Sequence, residues 1–338
     1  MNAYIAVGGL LAFLTSFCAV SVIREIAVKG RLLDIPNERS SHSFPIPRGG
    51  GVAIVIICLA AAGFQAFTSQ KWTEARLYPV AAAIIAGVSF LDDLYDIRSR
   101  TRFFFHALAA CLIVYGLGTS NVLQLNFGGE FISASCSGFI VLFWIVGLTN
   151  AFNFMDGIDG IAGGQALVAG FGWFVIGTLN GLYFIPLLGL TIGFASLGFL
   201  LHNWQPARVF MGDVGSTFLG FTFAAVTVFA AGERLDLCVP GVLLVWPFVF
   251  DSTFTLLRRL LRGENIFEAH RSHLYQRLVI SGISHARVSS LYMAYSAAGL
   301  MLGVLWSVGF QGSGLASAVL VPALAVSLLL FVRYRERR

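Results

Sequence analysis

Charged residues are scarce in this sequence: Asp, Glu, Lys and Arg make up 12% of its 338 residues, about half the share of an ordinary soluble domain. With 57% apolar residues and a mean hydropathy of +0.81, that scarcity excludes a water-soluble globule and a disordered chain. Cysteine is also sparse, and its count of 5 is odd. A disulfide scaffold is therefore excluded, and Cys18, Cys58, Cys111, Cys136 and Cys238 read as small core residues in or beside apolar segments. The first apolar segment lacks a charged leading stretch and an A-x-A site, so it reads as a retained helix. Internal repeats, Pro/Ser-rich linkers and a separate soluble domain are missing too, and residues 1–338 read as one integral-membrane domain.

What is present is a series of apolar runs. A spanning helix needs about 20 predominantly apolar residues, and eleven candidates occur, near 2–23, 50–68, 76–91, 103–118, 136–152, 161–178, 182–201, 214–231, 240–257, 288–308 and 315–332. The expected fold is an all-α polytopic membrane protein with about 11 transmembrane helices. One set of loops (24–49, 92–102, 153–160, 202–213, 258–287 and 333–338) holds 19 of the 22 basic residues, and the other set holds only Lys71, Arg76 and Arg234. The positive-inside rule makes the first set cytoplasmic and predicts a periplasmic N-terminus and a cytoplasmic C-terminus. The net charge of +5 is thus a topology signal, and nucleic acid is not an expected partner. The cytoplasmic side also carries 13 of the 17 acids, Asp251 included. A transporter or flippase of lipid-linked sugars, the competing class, places ionisable groups at mid-membrane on broken helices. In this reading the span centres hold none, which favours an enzyme with its active site in the cytoplasmic loops.

Five of those loops carry chemistry. Arg39, His42 and Arg48 precede Gly49-Gly50-Gly51 at the start of the second span. The glycines suit either an anion bound at a helix N-terminus or close packing on a neighbouring helix. The third span ends in Asp92-Asp93-Leu94-Tyr95-Asp96, where Asp96 shares a helix face with Asp92 or Asp93. Three acids in five residues repel one another unless a cation or basic partners offset them, and Arg98, Arg100 and Arg102 could also serve as simple countercharges. Asn150, Asn153, Asp156 and Asp159 recur every third residue and end in glycines. Their hard oxygen atoms suit Mg²⁺, which takes one or two carboxylates plus substrate phosphates. Asp213, between Gly212 and Gly215, reads on its own as a helix N-cap before a metal ligand. In the last large loop, His270 and His273 flank Arg271 without the further ligands that zinc requires, and the guanidinium suits a diphosphate.

Together these blocks resemble the polyprenyl-phosphate N-acetylhexosamine-1-phosphate transferase superfamily, glycosyltransferase family 4 in older usage. The matching stretches, in family order, are P-x-P-R-G-G-G from Pro45 to Gly51, Asp92-Asp93, N-x-x-N-x-x-D-G-x-D-G from Asn150 to Gly160, P-A-x-x-F-M-G-D-x-G-S from Pro206 to Ser216, and A-H-R-S-H from Ala269 to His273. The phospho-MurNAc-pentapeptide translocases of that superfamily carry a triple-His cluster that this chain lacks, so it looks more like the O-antigen and surface-polysaccharide initiating branch. That translocase activity is the alternative within the family.

The resemblance implies transfer of a sugar 1-phosphate from a UDP-N-acetylhexosamine to undecaprenyl phosphate in the bacterial inner membrane, with release of UMP and with Mg²⁺, or Mn²⁺, as cofactor. It implies Asn153 and Asp213 as metal ligands, and Asp92, Asp93, Asp156 and Asp159 as catalytic carboxylates. Arg48, Asn150, Asn203, His270, Arg271 and His273 would bind substrate. A phosphomonoester with a second pKa of about 6 is mostly ionised at neutral pH, so Asp92 and Asp93 are weighted toward electrostatics over proton removal. The oligomeric state is left open, with a homodimer among the options.

Overall fold

The computed structural model describes residues 2–35, 44–68, 76–117, 126–127, 130–131, 134–265, 268 and 270–338. Arg39 and His42 of the first loop and Ala269 of the A-H-R-S-H block lie outside those residues. Twelve α-helices run in chain order: α1 (Asn2–Lys29), α2 (Gly51–Thr68), α3 (Tyr78–Tyr95), α4 (Ser99–Leu117), α5 (Ala134–Phe154), α6 (Ile161–Leu179), α7 (Ile185–Asn203), α8 (Asp213–Glu233), α9 (Cys238–Leu261), α10 (Leu274–Ile280), α11 (His285–Ser307) and α12 (Ser313–Glu336). Eleven of them, all but the short α10, are long and apolar enough to cross a membrane. A short 3₁₀ turn (Leu235–Leu237) and two small antiparallel ladders, β1 (Leu33–Asp34) with β2 (Ile46–Pro47) and β3 (Asn126–Phe127) with β4 (Glu130–Phe131), complete the described elements.

The helices sort by how much of each is buried. Helix α8 is enclosed along its whole span, whereas α1 and α12 bury 22% of theirs. Leu10, Leu11, Val22 and Ile26 of α1 and Leu315, Val319 and Leu330 of α12 are exposed. Such apolar faces are stable against lipid tails and would be a liability in water. Between membrane helices the hydrophobic effect gives little attraction, so close backbone approach must supply the packing. Helices α6 and α7 meet that way: a Cβ on Gly170 would stand 2.6 Å from the Gly193 nitrogen, and one on Gly189 would stand 2.7 Å from the Gly170 carbonyl. Only glycine fits these positions.

The central α8 starts at the end of the bundle where the loops with the sequence motifs converge. Its N-cap, Gly212, has φ +78°, and a Cβ there would lie 2.7 Å from an Asp93 oxygen. A glycine is therefore required both by the backbone and by the close carboxylate.

Candidate active site

The chain approaches α8 through residues 206–212, and this segment is held from two sides. The Gly50 and Gly51 N–H groups donate to the Phe210 and Met211 carbonyls, each at 2.9 Å, while Phe210 N–H donates to Pro47 at 2.8 Å. A Cβ on Gly51 would fall 2.5 Å from the Gly215 Cα. The triple glycine thus serves close packing, and two of its N–H groups are spent on protein carbonyls rather than on an anion. On the other side, Asn203 is 3% exposed, accepts Gly160 N–H at 2.9 Å and donates to Val209 at 2.9 Å.

Asp93, at the end of α3, accepts the N–H groups of Asp213 and Val214 at 2.9 and 3.0 Å. It caps α8 from a neighbouring helix, satisfying N–H groups that have no partner within α8. The N-cap expected at Asp213 therefore does not form: Gly212 takes that position, and the Asp213 side chain remains 36% exposed. Asp92, one residue before Asp93, has a side chain 4% exposed. It accepts Ile97 N–H at 2.7 Å and the Arg102 guanidinium at 2.5 Å, and the same guanidinium nitrogen reaches Asp213 at 3.2 Å. Arg102 is thereby the built-in countercharge between the two acids, while Arg98 and Arg100 are exposed. Asp96 differs from expectation: α3 ends at Tyr95, and Asp96 is an exposed left-handed cap with φ +52°. It does not extend a helical face with Asp92 or Asp93.

The third wall is the turn after α5. Asn153 donates to the Ser216 hydroxyl at 3.1 Å and hydrogen-bonds Asp213. Asn150, one turn earlier, donates to its own helix at Val146. Asp156 follows the helix, and burial, then Asp213, Asp93 and Asp159, push its carboxyl well above the usual carboxylate range. Asp159 is engaged by protein groups on both oxygens, at 3.1 Å from Ala207 N–H and 3.2 Å from His285 Nδ1. The three-residue repeat therefore splits in function: Asn153 and Asp156 face Asp213, while Asn150 stays on its own helix and Asp159 ties the α5–α6 turn to residue 207 and to α11.

The basic loop closes the site beside the end of α5. Tyr275, fully buried on α10, donates its hydroxyl to the Phe154 carbonyl at 3.0 Å. The His273 ring lies 6.3 Å from Phe154 and 5.0 Å from His270, centroid to centroid. Burial, with His273 and Arg259 nearby, lowers His270 to about 4, so it is a neutral hydrogen-bonding group at pH 7. Arg271 acts electrostatically on Tyr275. Arg259, 4% exposed at the end of α9, pins the loop through Glu264 Oε2 at 2.9 Å and the carbonyls of Asn265 and Glu268 at 2.7 and 3.1 Å. Arg48 stands apart from this loop. Burial opposes its charge, but the Asp34 carboxylate at 2.7 Å outweighs that and raises it, with Asp93 and Asp213 adding attraction.

Two buried polar groups correct the expectation of empty span centres. Asp251 lies inside α9 with 0% exposure, and His106 lies inside α4 with 3%. A lone carboxylate within an apolar run was the available sequence signal for Asp251. Arg102, His285 and Tyr292 carried none that sets them apart.

Among the described residues no group of three or more His, Cys, Asp or Glu side chains is placed to hold a metal ion by itself. The set that does converge, Asp213 with Asn153 and Asp156 nearby, consists of hard oxygen donors. It fits the half-site Mg²⁺ uses when waters and substrate phosphates complete its shell, and the mutual repulsion felt by Asp156 is what a cation would relieve.

Comparison with known proteins identifies the family. A model described as glycosyl transferase family 4 matches residues 75–231, a stretch that contains Asp92, Asp93, Asn153, Asp156 and Asp213. A "probable undecaprenyl-phosphate N-acetylglucosaminyl 1-phosphate transferase" of Bacillus subtilis is 30% identical over 334 residues, covering 97% of this chain and 88% of that protein. A decaprenyl-phosphate N-acetylglucosaminephosphotransferase of Mycobacterium tuberculosis is 30% identical over 346 residues, covering 93% and 82%. An undecaprenyl-phosphate alpha-N-acetylglucosaminyl 1-phosphate transferase of Yersinia pestis is 29% identical over 306 residues, covering 87% and 82%. With eleven helices able to span a membrane, an acid-lined site at one end of the bundle and relatives matched along most of their length, this chain belongs to glycosyl transferase family 4, the polyprenyl-phosphate N-acetylhexosamine-1-phosphate transferases.

Proposed function

We propose that this multi-pass membrane transferase moves N-acetylglucosamine 1-phosphate from UDP-N-acetylglucosamine to undecaprenyl phosphate, releasing UMP. The lipid diphospho-sugar would begin a cell-surface glycan, an O-antigen or related polysaccharide, at the cytoplasmic face of a bacterial inner membrane. The observation that carries this reading is the convergence of Asp92, Asp93, Asp156 and Asp213 at the mouth of the buried helix α8, where Arg102 pairs only with Asp92 and Asp213 and Asp156 feels the charges of Asp213 and Asp93. Such a cluster is costly to assemble without a cationic ligand.

Asp213 and Asn153, with Asp156 nearby, would hold Mg²⁺, and when bound the ion would neutralise charge on the diphosphate and on the departing UMP. The chain's own groups do the rest. Arg102, which pairs with Asp92 and Asp213, would also bind the acceptor phosphate, because a guanidinium hydrogen-bonds phosphate at least as well as carboxylate. Asp92 orients Arg102, and Asp93 fixes the start of α8. His270, neutral at pH 7, suits sugar hydroxyls, while Arg271 and His273 suit the donor's diphosphate. Asp159 and Asn203 keep the two loops in register, and Arg48 adds positive potential at the rim.

The test is UMP release by purified protein given undecaprenyl phosphate and a panel of UDP-sugars, with Mg²⁺ and then with EDTA. UDP-N-acetylglucosamine should be the preferred donor, and chelation should abolish turnover. In sealed vesicles, externally added donor should react only when the cytoplasmic side faces out. Full turnover in EDTA would contradict the metal assignment, and failure with every UDP-sugar would contradict the function.

A further inference from the structure

Asp251 is the one carboxylate among the described residues with no exposure at all, and five donors converge on it. Oδ1 accepts Leu274 N–H at 2.8 Å, the Thr255 hydroxyl at 3.2 Å and His273 Nδ1 at 3.3 Å. Oδ2 accepts the Tyr292 hydroxyl at 2.5 Å and Tyr275 N–H at 3.1 Å. The two backbone contacts cap α10 from α9, which explains part of the arrangement. They do not explain the imidazole. A carboxylate surrounded by donors is an acceptor only, so the proton between it and His273 sits on Nδ1. That fixes the tautomer, as it does wherever a carboxylate backs a functional histidine.

The ring takes part in the capping box of α10 with Gln276, and among the described residues no hydrogen bond to His273 Nε2 is formed, yet that atom is not among the buried atoms lacking a partner. The ring packs against His270 at 5.0 Å and Tyr275 at 5.8 Å, centroid to centroid. We infer that Asp251 and His273 form a dyad in which Asp251 is a positioning residue, holding His273 so that Nε2 meets the anionic diphosphate of the nucleotide-sugar. With Nδ1–H held by Asp251, the ring contacts an anion through a proton taken up on Nε2 as the anion binds. This role rests on the donor assignment above. It adds to that assignment a carboxylate on a membrane helix that never touches substrate.

The experiment is a double-mutant cycle of Asp251→Asn and His273→Gln. Asn keeps one oxygen for the α10 cap but cannot accept from all five donors. Steady-state kinetics with UDP-N-acetylglucosamine should show KM raised on the order of 10- to 100-fold in each single variant, as is typical when the partner of a functional imidazole is lost. The double variant should be little worse than either single, because both remove the same interaction. Tyr292→Phe, which takes one donor from Asp251 and leaves His273 in place, should leave KM within about threefold of wild type. Losses that multiply in the double variant would overturn the dyad and leave a purely structural cap, as would a wild-type KM in Asp251→Asn.

A second readout does not depend on turnover. In protein carrying ¹⁵N-labelled histidine, the His273 signal should report a protonated Nδ1, and that signature should disappear in Asp251→Asn. Its absence from the wild-type protein would overturn the dyad even if every kinetic variant were inactive. Its presence in a protein that accepts no UDP-sugar would count against the donor assignment alone.

Discussion

Two helices of this protein, α8 and α10, begin with backbone N–H groups that are capped by a carboxylate from a different helix, and the two caps sit in opposite settings. Asp93 caps α8 in the acid half of the site, beside the partly exposed Asp213 and the Asp92–Arg102 pair. Asp251 caps α10 in the basic half, fully buried and backed by Tyr292 and Thr255. The cap on α8 frees a neighbouring side chain from structural duty, since Asp213 does not have to cap its own helix, whereas His273 is itself the N-cap of α10, in a capping box with Gln276. The comparison teaches that fold and chemistry are divided between adjacent residues here. The carboxylates that hold loops are Asp93, Asp159 and Asp251, and those left facing the site are Asp156 and Asp213.

That division can be broken on its acid side at Arg102. If this guanidinium only balances charge in an empty site, Arg102→Gln should be tolerated. If it also receives a phosphate, losing charge-assisted hydrogen bonds worth about 1.5–3 kcal/mol should lower kcat/KM by about 10- to 100-fold, and Arg102→Lys should recover only part of that because the second donor of the fork is gone. Turnover assays on the two variants decide between these outcomes. A smaller effect is expected at Asp93. Removing a cap costs about 0.5–2 kcal/mol, so Asp93→Ala should lower the melting temperature in detergent by a few degrees, and Asp93→Asn should restore part of it. A melting curve identical to wild type in Asp93→Ala would show that the trans cap contributes nothing.

The sequence made the membrane architecture legible because spans obey a single strong constraint: every lipid-embedded backbone group must bond within its own helix, over a fixed length. Eleven apolar runs therefore correspond to eleven helices, although α9 extends to Leu261, past the expected end at 257, because Arg258 and Arg259 at its tip bond the following loop. The site was legible in its residue types and less so in its division of labour. Spacing brought Asn153 and Asp156 toward Asp213, but the same spacing could not distinguish Asp159, whose partners Ala207 and His285 lie 48 and 126 residues away. The glycines of residues 49–51 were open to two readings, and the deciding carbonyls, on Phe210 and Met211, are equally remote. Long-range hydrogen bonds leave no local pattern, and the positioning residues of this protein are defined by such bonds.

In the proposed reaction Asp213 faces the chemistry because Asp93 has relieved it of capping. The most direct measurement is kcat and melting temperature together for Asp213→Asn. Since Gly212 is the N-cap and Asp93 supplies the bonds, the amide should leave the melting temperature within about a degree of wild type, while kcat should fall by at least on the order of 10²-fold through loss of the charge proposed to face Mg²⁺. Near-normal kcat in Asp213→Asn would contradict the account, and so would a loss of activity that merely tracks a loss of folded protein.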